Sequence, residues 1–102
     1  MHLVQILLPL YDDRGAPFPG EAYRAVAREL TERFGGVTAY TRAPAEGRWK
    51  DGAERETHDE IVVLEVMVQA LDERWWAAYR KQLEDAFRQD AIVVRALAMR
   101  QL

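Results

Sequence analysis

Three polar side chains, Gln5, Glu65 and Arg95, interrupt stretches that are otherwise almost wholly apolar, residues 3–8, 61–68 and 91–99. Each lies near the middle of its run. A carboxylate, a carboxamide and a guanidinium brought side by side could do either of two things. They could form a satisfied polar layer that fixes one packing arrangement, because buried charges must be paired and can specify register. They could instead line a pocket, with Glu65 as base or carboxylate acceptor and Arg95 as anion anchor. Desolvation raises the pKa of such a carboxylate and a neighbouring arginine lowers it, so its protonation state stays open at this stage. The polar layer is the leading reading.

Further candidates stand around these three. Tyr40 and Arg42 are expected to continue the row on a neighbouring strand. Trp49 and His58 lie within a dense charged stretch, Arg48 to Glu60, and would sit at the rim of a site. A large aromatic on a solvated arm needs cover, which makes Trp49 a lid or a partner contact. His58 and Glu60, two apart on one strand, could supply half of a carboxylate–histidine pair. A metal needs three or four ligands, however, and His2 is expected at the opposite end of the sheet, so no metal is expected. No phosphate loop, dinucleotide glycine pattern or haem-attachment motif occurs, and no cofactor is expected.

The elements that must position these residues follow from periodicity. The runs at 3–8 and 61–68 are rich in Val, Ile and Leu, as strands are, and 37–42 and 91–99 read likewise. Between them, Tyr23, Val26, Ala27, Leu30 and Phe34 recur at helical spacing and stop at Gly35-Gly36. Asp72 caps a second helix whose apolar stripe is Trp76, Tyr79, Leu83, Ala86 and Phe87. Asp51-Gly52 has the composition of a tight hairpin turn joining the second and third strands. The charges around it serve first to protect an edge from pairing. Trp75 falls on a flank of its helix, as partly buried packing or as a contact surface.

The order βαββαβ predicts an α+β, ferredoxin-like plait: a four-stranded antiparallel sheet in the order 4-1-3-2 with both helices on one face. Residues 1–102 make a single domain on this reading. Val4, Ile6, Leu8, Val62, Leu64, Val66, Val68, Ile92, Val94, Ala96 and Ala98 are placed beneath the helices. The other face carries Leu3, Leu7, Ile61, Val63, Met67, Val93, Leu97 and Met99 around the polar three. That face is too apolar to stay wet on a soluble monomer, so a second copy is expected to cover it.

Composition narrows the function classes. Hydrophobic residues make up 49% and charged ones 30%, ordinary globular usage. Seventeen acidic against fourteen basic side chains give a net charge of −3, which offers no field for phosphate backbones, and nucleic acid is not expected as a partner. The chain contains no Cys, Ser or Asn, which removes disulfides and Cys or Ser nucleophiles. No apolar run approaches a membrane span and the first residues enter a strand pattern, so a cytoplasmic location is expected.

The layout resembles the small ferredoxin-like proteins that pair as dimeric α+β barrels, over nearly the whole chain. More narrowly, Gly47-Arg48-Trp49, Gly52 and Arg55-Glu56, running into Glu60-Ile61-Val62-Val63-Leu64, are similar to an uncharacterised family of small bacterial proteins with a Gly-x-Trp, Gly and Arg-Glu pattern before a strand. The resemblance implies a homodimer with clefts between sheet and helices. Barrel relatives include monooxygenases, haem degraders and isomerases, and the Asn-Trp-His set that haem degraders suggest is missing here. Three functions stay open: a homodimeric small-molecule-binding or non-catalytic module, which leads; a cofactor-independent enzyme acting on a small anionic or aromatic substrate; and a structural dimer that docks another protein.

Overall fold

The computed structural model describes residues 1–42 and 61–102, with the backbone alone at 41–42. Within these, β-branched and leucine side chains alternate across β1 (His2–Pro9), β3 (Ile61–Val68) and β4 (Val93–Ala98). With β2 (Thr38–Arg42) they form one antiparallel sheet in the order β2-β3-β1-β4, the plait order expected from the sequence. Two helices, α1 (Gly20–Phe34) and α2 (Glu73–Ala86), pack on one face. The Asp51-Gly52 turn, Trp49, His58, Glu60 and the Gly-x-Trp stretch lie outside the described residues.

Each helix is bounded by the chemistry of its ends. α1 starts behind Pro19, whose φ of −64° is fixed by its ring, and ends at Gly35, whose φ of 86° lets its N–H reach the Thr31 carbonyl at 2.8 Å. Asp72 Oδ1 accepts the Trp75 N–H at 3.0 Å and caps α2. The other end of α2 closes as a Schellman motif, with Gln89 N–H on the Glu84 carbonyl at 2.9 Å and Arg88 N–H on the Asp85 carbonyl at 3.3 Å. Arg88 holds the left-handed position, φ 50°, where glycine is the usual occupant.

The core lies between the helices and the even-numbered face of the sheet. Val4, Ile6, Leu8, Leu64 and Val66 pack there against Val26 and Leu30 of α1 and Trp76, Tyr79 and Leu83 of α2. Phe87, 1% exposed, meets Phe18 edge-on at 5.1 Å and Tyr23 at 5.6 Å. Trp75 is half-buried, stacked on Tyr79 at 4.9 Å and capped by the Arg33 guanidinium at 4.2 Å, so this flanking tryptophan closes an aromatic cluster.

Three expectations need correction. Ala86 is exposed, because the helix ends there and the next stripe position is taken by Phe87. Ala96 and Ala98 point to the helix side yet remain exposed, because neither helix fully covers the edge strand β4. Val63, on the helix-free face, is 3% exposed, in register between Leu7 and Tyr40. Among the described residues no helix is long and apolar enough to cross a membrane.

Candidate functional site

The sheet register sets the odd-numbered side chains in parallel rows. Gln5 is paired with Glu65 on one side and with Arg95 on the other. The side chains follow the backbone: Gln5 Nε2 donates to Glu65 Oε2 at 2.7 Å, and Arg95 Nε donates to Gln5 Oε1 at 2.7 Å. Gln5 therefore uses both ends of its carboxamide to join guanidinium to carboxylate. A carboxamide suits this place because it donates through nitrogen and accepts through oxygen in one plane without carrying charge. Hydrogen bonds with a charged partner are the stronger kind, so two of them in series hold the row in one arrangement.

Apolar rows flank it on both sides. One is Val93, Leu7, Val63 and Tyr40; the other is Leu97, Leu3 and Met67. Val93 and Met67 are 51% exposed and Leu97 48%, so a large apolar area surrounds the charges. Glu65 is half-buried and Arg95 exposed. The arrangement can hold an anion on Arg95, offer Glu65 as a proton acceptor, and pack an apolar body against either flanking row.

The expected continuation of the row onto Tyr40 and Arg42 is not what the register gives. The partner of Glu65 on β2 is Thr38, while Tyr40 pairs with Val63 and Arg42 with Ile61. The sequence fixes the face of a β2 residue but not its offset along the neighbouring strand, and the offset here is one full pleat. Tyr40 thus belongs to an apolar row beside the polar one. Trp49 and His58 lie outside the described residues.

A feature that sequence reasoning missed adjoins the row. Leu7 and Val93 run into an open basin of about 780 Å³ walled by Tyr11, Asp12 and Gln89. Asp12 is built into its loop: its Oδ1 accepts the Ala16 and Arg14 N–H groups, both at 2.9 Å, and these bonds hold its carboxyl below the usual carboxylate value. The Asp12-Asp13-Arg14-Gly15 composition signalled this turn, but not that it walls a basin at the end of the open face. Among the described residues, no cluster of three or more His, Asp or Glu could hold a metal ion.

No family model matches the chain, and no curated protein matches it in sequence. Among solved structures it is similar to a phage SAM lyase in complex with S-methyl-5'-thioadenosine, with a TM-score of 0.62 over 94% of this chain and 79% of that one, at 12% identity. The likeness is one of fold. It supports the α+β plait reached from the strand order, and that enzyme's activity is not thereby assigned to this chain.

Proposed function

We propose that the protein is a homodimeric, cofactor-independent binding module, two copies meeting through the helix-free face of the sheet, with a small anionic or aromatic molecule held in the cleft they form. The observation that carries this reading is the hydrogen-bonded row Arg95, Gln5 and Glu65 set between two apolar rows that are about half-exposed at Val93, Leu97 and Met67. Apolar surface of that extent favours burial, and a prearranged charged row within it supplies orientation rather than bulk affinity. The basin at the end of the face gives a small molecule room beside the row.

Thermal-shift measurements with small carboxylates and aromatics test the binding reading, with Gln5→Leu as the comparison. Stabilisation that grows with ligand concentration, and weakens in the variant, is the expected result. A response identical in both proteins, or none to any compound, would count against it.

A second reading, an enzyme using Glu65 as proton acceptor and Arg95 as anion anchor, has one point in its favour: the similar fold belongs to a lyase bound to methylthioadenosine. Glu65→Gln separates the two, since a binding module keeps its affinity for neutral aromatics while a catalyst loses turnover.

A further inference from the structure

The helix side of the sheet has an opening of its own. Between α2 and the edge strand β4 lies a notch of about 210 Å³. Val4, Trp76, Ala77 and Val94 line it, with Glu73, Arg80 and Arg95 as its charged members. It exists because small side chains meet there: Ala77 on the helix faces a strand segment carrying Ala96. Glu73, Ala77 and Arg80 follow at i, i+4 and i+7, one stripe of α2, so the carboxylate and the guanidinium stand roughly 10 Å apart along the helix axis.

Arg80 is the chemically notable member. Its Nε is buried and has no hydrogen-bond partner. Glu84 Oε2 is 4.0 Å away, too far to accept that proton, and already accepts the Ile92 N–H at 3.0 Å. Glu84 therefore holds the guanidinium in place by charge without satisfying it. A donor of a charged group left dry and unpaired is costly, and the anion that completes it is recognised strongly.

We propose that this notch binds a small monocarboxylate with an apolar body about the size of one ring. The carboxylate sits on the Nε edge of Arg80 after a small rotation of the guanidinium, the body lies against Trp76, Val94 and Val4, and Glu73 rejects a second anionic group at the far end. The size is set by volume: an apolar cavity of about 150 Å³ holds a benzene, and the notch leaves room for a carboxylate besides. Arg95, the cationic end of the open-face row, also borders the notch at the sheet edge, but the site does not depend on the function proposed for that row.

Titrating isotope-labelled protein with phenylacetate, and reading the Arg80 Nε–H and the Ala77 and Ala96 amides by NMR, tests this directly. The expected result is saturable shifts at those three groups, at least about tenfold weaker binding of para-phenylenediacetate, and recovery of that dicarboxylate in Glu73→Gln. Arg80→Gln removes the response while the rest of the spectrum reports a folded chain. Absence of shifts at Arg80 and Ala77 up to the solubility of the acid would overturn the proposal. So would shifts confined to the Gln5 side-chain amide and Leu97, which would place the acid on the opposite face.

Discussion

Leu97→Lys puts a charge at the edge-strand end of an apolar row on the open face, and the structure sets the size of its effect. Four strands spaced about 4.8 Å apart, and three rows spaced about 6.8 Å, give a face of roughly 400 Å² in projection. Two such faces together span about 800 Å² in projection, at the small end for specific interfaces, so the proposed dimer is expected to be weak, with a dissociation constant of about micromolar order. Leu97 is 48% exposed in one copy. Burying that remaining half is worth about 1 kcal/mol, and the residue enters twice under twofold symmetry, giving about 2 kcal/mol. Its loss raises the dissociation constant about 30-fold before any cost of desolvating the ammonium is added. Sedimentation velocity across a concentration series reads this: the parent passes from its 11.8 kDa monomer to twice that mass, and the variant makes the same passage only at about 30-fold higher concentration or beyond. Ala78→Lys, on an exposed position of α2, should behave as the parent. A parent that never exceeds 11.8 kDa at millimolar concentration, or a Leu97→Lys protein that associates equally well, refutes the reasoning.

Other substitutions probe the scaffold. Gln5→Leu leaves Glu65 and Arg95 without their bridge and is expected to cost about 1 kcal/mol in urea unfolding; an unchanged midpoint would mean that water replaces the carboxamide fully. Phe87→Ala opens a cavity under Phe18 and Tyr23 and should cost about 3–5 kcal/mol, read as a lower midpoint with the slope unchanged. Arg88→Gly relieves the left-handed residue of the Schellman turn and should raise stability by about 0.5–1 kcal/mol in the same assay, with no change or a loss pointing to a contribution of the arginine side chain. Burial, with a hydrogen bond to Glu29 at 2.9 Å, lifts the Tyr79 hydroxyl well above its ordinary pKa, and burial lifts Tyr23 too. The unfolded chain alone then ionises above about pH 10, so this stabilisation is complete below that pH and falls by up to about 1.4 kcal/mol per pH unit above it. Tyr79→Phe should flatten the alkaline limb, and a limb of equal slope in both proteins would show that other groups cause it.

Much of the fold was legible because its signals are local. Gly35 stops α1 where only a left-handed residue closes the turn, and Asp72 opens α2 with its own carboxylate. Alternation sorted Val4, Ile6 and Leu8 from Leu3, Gln5 and Leu7 with no knowledge of partners. The bridge through Gln5 was also foreseeable, since the plait order puts its strand between the other two and all three polar residues sit mid-strand. What failed depends on distances that the chain does not encode locally. The offset of β2 against β3 replaced Tyr40 with Thr38 beside Glu65, and the edge strand β4 leaves Ala96 uncovered by α2. The Glu73, Ala77 and Arg80 stripe was visible as a spacing, but its opposition to the edge strand was not.

The joined carboxamide has a directional consequence. A chain of hydrogen bonds that starts at a guanidinium on β4 and finishes at a carboxylate on β3 is an electric dipole lying flat in the sheet. A twin laid over it by an axis running along the strands reverses that dipole, setting plus over minus, with the two glutamines crossing near the axis. An axis running along the row would stack guanidinium on guanidinium. Polarity thus discriminates between orientations that the flanking leucines and valines would accept equally.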